Sequence, residues 1–210
     1  MEREAIKNKI IENLLSTNRP GMPDLINHME EIGFFEAPCS GGNHLAKEGG
    51  LAEHSWNVYG MLKALYEDVC GNDCEIPDYS IIITSLLHDL GKCGDYGKPN
   101  YVENWVKDGR PTKAEPEQKY KISESKPYVT NPDLLYIPHE VRSVKIASRF
   151  IYLTEYEEQA ILYHNGLYGD FRYAIQGKET PLYLLLHFSD MWASRVLEVE
   201  ENETNDASGN

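Results

Sequence analysis

The sequence predicts an all-α fold: one helical domain over residues 1–199, carrying a long polar insert at about 93–137. Three observations predict it. Apolar residues recur at helical spacing through most of the chain. Clean two-residue alternation, the mark of half-buried strands, is hard to find. One central segment, IIITSLL at 81–87, is apolar on every side, as a helix in the middle of a bundle must be.

The first helix is expected over 3–16, with Ile6, Ile10 and Leu14 on one stripe. The turn NRPGMP at 18–23 ends it, and a second helix over 23–33 turns Leu25, Ile26, Met29 and Ile32 inward. FFEAPCSGGNHLAKEGG, rich in Gly and Pro, reads as loop. A third helix over about 50–68 lines up Leu51, His54, Val58, Met61 and Leu65, and the central one covers about 78–91. The insert shows little periodicity, and a segment of that length within a compact domain is commonly a lid or a substrate-binding element. Helices resume at about 139–153. Thr154 and Glu157 form a capping box for the next, which ends near His164. Pro181, after Thr180 as N-cap, opens a last helix to about Val199.

Composition narrows the function classes. At 41% apolar and 26% charged residues the chain is that of a globular protein with a real core, and no run of 18 apolar residues suggests a membrane span. MEREAIKNKIIENLL is charged and lacks the apolar stretch of a signal peptide, so a cytoplasmic protein is expected. Cys39, Cys70, Cys74 and Cys93 suggest no disulfide framework, and Cys70 with Cys74 is half a zinc site without a second pair. The formal charge is −14, of which residues 198–210 carry −5 with no base; this tail, 200–210 above all, reads as solvated and disordered. An acidic body argues against long nucleic acid, whose phosphates call for Lys and Arg. A small phosphorylated ligand held by metal and a few local bases remains compatible.

Among seven histidines, placement singles out a few. His54 lies on the apolar stripe of the third helix, and His88–Asp89 close the most buried one. Asp190 interrupts LYLLLHFSDMWASRVL on the face of Leu186 and Leu197. A buried carboxylate without cation or donors costs several kcal/mol or stays protonated. Imidazole and carboxylate delivered by three apolar helices are the groups that divalent first-row metals take, and one bound cation relieves all three burial problems. His44 and His187 are weaker candidates, and His28 reads as an exposed helix residue.

His54-Ser55, then LLHDLGK, then Asp190 resembles the HD superfamily of metal-dependent phosphohydrolases, whose pattern is H…HD…D on a helical core. GGLAEHSWNV is similar to the GGLxEHSxxV segment of a bacterial and phage subgroup, and FFEAPCS to its aromatic-APAS approach. IPHEVRS, AILYHNG and LLHFSDMWASR resemble later segments of that subgroup, so the likeness spans residues 12–197. It implies metal ligation by His54, His88, Asp89 and Asp190. His139 and His164 match positions that hold a second ion in dinuclear members, with Asp89 bridging. NGLYG after His164 departs from the HD-GYP cyclic-dinucleotide phosphodiesterases, which puts that substrate in doubt.

The implied activity is hydrolysis of a phosphomonoester or phosphodiester of a nucleotide or a short nucleic-acid end, with Asp89 and Lys92 catalytic. The expected cofactors are two divalent ions from among Mn, Fe, Co, Ni, Zn and Mg. Lys92, three residues after the HD pair, suits a phosphate contact or solvation of the helix terminus. Arg142, on the helix of His139, is a second candidate for phosphate, and Tyr96, Trp105 or Tyr128 from the insert for a base. Two other readings keep the fold: a di-iron oxygenase with the same six ligands, and a non-catalytic nucleotide-binding module.

Overall fold

The computed structural model describes residues 2–70, 74–113 and 115–199. The expected tail at 200–210 lies outside the described residues. Eight α-helices frame the described residues: α1 (Arg3–Ser16), α2 (Met22–Glu31), α3 (Gly50–Val69), α4 (Asp78–Leu87), α5 (His139–Ala147), α6 (Glu155–Tyr163), α7 (Arg172–Ile175) and α8 (Pro181–Trp192). None is long and apolar enough to cross a membrane among the described residues.

Helix α4 is the axis. Every residue from Ser80 to Leu87 is buried, and α3, α1, α6 and α8 all contact it. Its three hydroxyls avoid stranding polar atoms: Thr84 Oγ1 donates to Ser80 O and Ser85 Oγ to Ile81 O, while Ser80 Oγ donates to Glu157. The core divides in two. One part gathers Ile10, Leu14, Phe34, Leu51, Ile83 and Leu86, and the other Val58, Leu62, Ala160, Leu182 and Leu186. Glu157 closes the capping box of α6 with Thr154 and pairs with Arg19 at 2.8 Å, tying α6 back to the turn after α1.

Helix α3 begins where two glycines let the chain double back. Gly49 sits at φ +77°, and a Cβ on Gly50 would lie 2.1 Å from the Leu45 carbonyl oxygen, so only glycine permits this close approach.

The all-α expectation needs correcting in the insert. Residues 94–130 form three antiparallel pairs: β1 (Gly94–Asp95) with β2 (Lys98–Pro99), β3 (Tyr101–Glu103) with β6 (Tyr128–Thr130), and β4 (Trp105–Lys107) with β5 (Tyr120–Ile122). The last two are nested, so the insert is one bent ribbon, with Tyr101 opposite Thr130 and Trp105 opposite Ile122. Ladders of two or three residues are too short for alternation to register in sequence. The ribbon touches the loop before α3, where Tyr128 N donates to Gly41 O.

Asp95 pins the start of the insert to α5. It is buried and meets Lys145 Nζ at 2.7 Å and Arg149 Nη2 at 2.8 Å. Burial alone would raise its pKa, but those two cations outweigh it and pull the carboxyl down to about 2. Because the folded value lies below the ordinary carboxylate value, the contribution is present above about pH 4 and is lost as pH falls through about 2. Asp95→Asn is therefore expected to lower stability at pH 7 by roughly 1–2 kcal/mol, both cations being one-third exposed. Thermal unfolding against pH should show parent and variant converging between about pH 4 and pH 2. A constant gap down to pH 2 would exclude this role.

One pairing was not expected: Cys70 and Cys74 form a disulfide with Cα atoms 5.3 Å apart, within the usual span. Cys39 and Cys93 are free and buried. Cysteine usage therefore lends no support to a reducing compartment.

Candidate metal centre

The chain was expected to stay helical to about residue 91, but α4 ends at Leu87. His88 caps it with φ −55°, Asp89 leaves helical geometry at φ −101°, ψ 10°, and Leu90–Cys93 is a 3-10 turn. Adjacent residues inside a helix point about 100° apart, and ending the helix between this pair relaxes that divergence. His88 and Asp89 thus turn towards the same space.

Five other elements bring side chains to it. His54 comes from the first turns of α3, His139 from the start of α5, His164 from the C-cap of α6 and Asp190 from α8. Lys92 comes from the 3-10 turn. His54 Nε2 lies 3.1 Å from Asp190 Oδ1, 3.3 Å from His88 Nε2 and 3.5 Å from Asp89 Oδ2, and His88 Nε2 lies 3.4 Å from that same oxygen. The other oxygen, Asp89 Oδ1, lies 3.1 Å from His139 Nε2 and 3.4 Å from His164 Nε2, which are 3.3 Å from each other. Asp89 therefore divides the four rings, with His54 and His88 against one oxygen and His139 and His164 against the other, and Asp190 joins the first side through His54. Ligand atoms about 2.0–2.2 Å from a shared ion stand roughly 3–3.5 Å apart, which is the spacing on both sides.

The outer nitrogens decide what the inner ones offer. His88 Nδ1 donates to Ser85 O at 2.8 Å, and His164 Nδ1 to Ile161 O at 2.7 Å. His54 Nδ1 donates to Glu198 at 3.0 Å, and His139 Nδ1 lies 3.2 Å from Glu140 Oε2. With Nδ1 engaged from behind, each ring turns its Nε2 inward, the nitrogen that a metal takes from a neutral imidazole. Four such nitrogens gathered about carboxylate oxygens are the donor set that a divalent cation draws together. Asp89 adds an independent sign. It is 1% exposed, and neither oxygen meets a donor with hydrogen-bonding geometry, although Lys92 Nζ stands 2.6 Å from Oδ2.

The electrostatics point the same way. Burial would raise the pKa of Asp89, but Lys92 and His88 outweigh it and hold the carboxyl well below its ordinary value. Asp190 is depressed against burial as well, chiefly by His54. Burial works against charge on His54, yet Cys39, Asp190 and Glu198 together lift its pKa well above the usual imidazole. The cluster keeps its carboxylates ionised and attracts positive charge. His54, His88 and Asp190 form one group able to hold a metal ion, and His88, Asp89 and His164 another.

Arg142, expected at the substrate, has another use here. It is buried on α5, and its guanidinium donates to Asn100 Oδ1 and Leu135 O, holding both ends of the insert. Arg149 is likewise engaged by Asp95. His187 is a supporting residue, donating from Nδ1 to His164 O. Glu198 was assigned to the solvated tail, whereas it is buried and orients His54 and Asn57. A π turn over Ala193–Leu197 ends α8 early and swings Glu198 inward. In sequence its carboxylate looks like any other in EVEE. A surface groove lined by Glu75, Tyr79, Tyr156 and Leu182 among others contains none of the cluster.

Comparison with family models, with curated proteins and with solved structures finds no match to this chain.

Proposed function

We propose that the protein is a metal-dependent phosphohydrolase of the HD type, with a dinuclear centre bridged by Asp89. The observation that carries this reading is the split of four imidazoles between the two oxygens of one buried carboxylate, each ring held from behind through Nδ1. His54, His88 and Asp190 would hold one divalent ion, His139 and His164 the second. Such ions, when bound, would supply Lewis acidity and activate water for attack at neutral pH.

The chain's own groups do the rest. His139 is the most open of the four rings, at 26% side-chain exposure, and Asn165 Nδ2 lies 3.4 Å from its Nε2, so a substrate enters on that side. Lys92, 15% exposed at the side chain and held by Asp89, can turn its ammonium to a non-bridging phosphoryl oxygen. Asp190, 19% exposed, faces the same opening and keeps an acceptor at its edge. Ligands of N and O type admit Mn, Fe, Co, Ni, Zn or Mg. The acidic body favours a small nucleotide over a polymer.

The test is a screen of nucleotides and model phosphoesters with each metal supplied singly. Phosphate release that needs metal and stops on chelation supports the reading. Oxygen uptake by the iron-loaded protein without phosphate release would move it to the oxygenase class. His164→Ala is expected to lower metal content by one equivalent while the His54 side stays loaded. Unchanged stoichiometry in that variant would sink the dinuclear assignment.

A further inference from the structure

Behind His54, on the side away from Asp89, lies a second group of ligand-type side chains that the phosphohydrolase reading does not use. Cys39 Sγ is 3.3 Å from His44 Nε2. His44 Nε2 is 3.9 Å from Glu198 Oε2, which is 3.0 Å from His54 Nδ1. The His44 and His54 rings lie 5.1 Å apart. Cys39 and His54 are fully buried, and one ligand atom from each of Cys39, His44 and His54 falls within 4.8 Å of the others.

A nucleophilic or redox role does not fit this thiol. Cys39 has no exposed surface, so its thiol is out of reach of reagents. His44 turns Nε2 towards that thiol, where the nitrogen can serve as a ligand. A thiol and neutral imidazoles around one point, with a carboxylate beside them, are the donor set of a borderline-soft ion such as zinc, whose binding displaces the thiol proton. At about 2.3 Å for Zn–S and 2.0–2.1 Å for Zn–N, tetrahedral sulfur and nitrogen ligands stand about 3.5 Å apart, close to the Cys39–His44 separation. The side chain of His44 is 19% exposed, which gives the site a mouth.

We propose that Cys39, His44 and the His54–Glu198 pair form a third cation site, thiolate-containing and separate from the two pockets around Asp89. Cys39 and His44 supply two ligands, and the Glu198 carboxylate, which accepts the His54 Nδ1 proton, supplies a third. Lys92 Nζ, 3.8 Å from Cys39 Sγ, lies between this site and Asp89, and its charge favours the thiolate. His54 keeps its Nδ1 proton and stands between the two sites. The proposal stands on these side chains alone and does not need the phosphohydrolase reading.

Cobalt(II) tests it, because thiolate ligation gives a near-ultraviolet charge-transfer band that N/O ligation lacks. The full chain titrated with cobalt is expected to show this band, and Cys39→Ala or His44→Gln to lose it together with one equivalent of metal. In Asp89→Ala, which dismantles the dinuclear centre, the band and one equivalent should persist. No band in the parent protein, or a band that survives Cys39→Ala, would overturn the third site while leaving the dinuclear assignment untouched. Loss of metal in His164→Ala with the band retained is the converse pattern, which separates the two proposals.

Discussion

Replacing Asp89 by alanine is expected to lower metal content by two equivalents and phosphoester hydrolysis by at least about 10³-fold, on the order of 4 kcal/mol of transition-state stabilisation. Asp89 faces both halves of the cluster: its oxygens lie 3.1–3.5 Å from the Nε2 atoms of all four rings. Removal leaves Lys92, whose pKa the Asp89 charge lifts well above normal against burial, as a nearly buried cation without its main partner. The metal-free variant should therefore unfold at lower temperature as well. Asp89→Asn keeps the volume and separates charge from packing. Metal analysis of both variants against the parent protein decides the matter, and retention of one full equivalent at the His54 side would show that the carboxylate does not bridge.

Gly91→Ala is expected to be strongly destabilising. A Cβ at Gly91 would lie 2.1 Å from His139 O and 2.8 Å from Arg142 Cβ, on the backbone and root of α5. The same glycine donates its N–H to Ser143 Oγ at 2.8 Å, and Ser143 Oγ donates to His139 O. No flexible side chain can give way, so α5 itself must move. A loss of about 3–5 kcal/mol follows from overpacking of this kind, on the order of 10 °C in Tm for a chain of this size. Because the displaced helix carries His139, the metal on the His139–His164 side should be lost before the one on the His54 side. Calorimetry and metal titration read the two effects separately. A variant with unchanged Tm would mean that the contact between the Leu90–Cys93 turn and α5 is looser than described.

Much of the helical frame was legible because burial imposes a period. Ile6, Ile10 and Leu14, or Thr154 with Glu157, carry their structural roles in sequence spacing alone. The donors of the first site were legible for a related reason: His54, His88 and Asp190 are polar groups on apolar faces, and burial makes such groups conspicuous. Helix ends were not. The turn at Asp89 and the π turn after Trp192 depend on what the chain meets in space, and both re-aim a functional side chain. Arg142 looked like a phosphate ligand because its charge is visible and its burial is not. Cys39 and Glu198 escaped for the opposite reason, one seated in a glycine-rich loop and the other in an acidic run.

Glu198 reaches His54 across 144 positions of sequence. The proton that selects the inward-facing lone pair on His54 is thus assigned by a contact that closes nearly the whole domain, among the slowest kinds to form because loop closure must precede its reward. Growth of the chain supplies residue 198 after every other member of the cluster. On the proposed metal-binding reading, ion capture in the correct geometry therefore follows folding instead of nucleating it, and a partly synthesised or partly unfolded molecule presents disordered histidines rather than an assembled cluster.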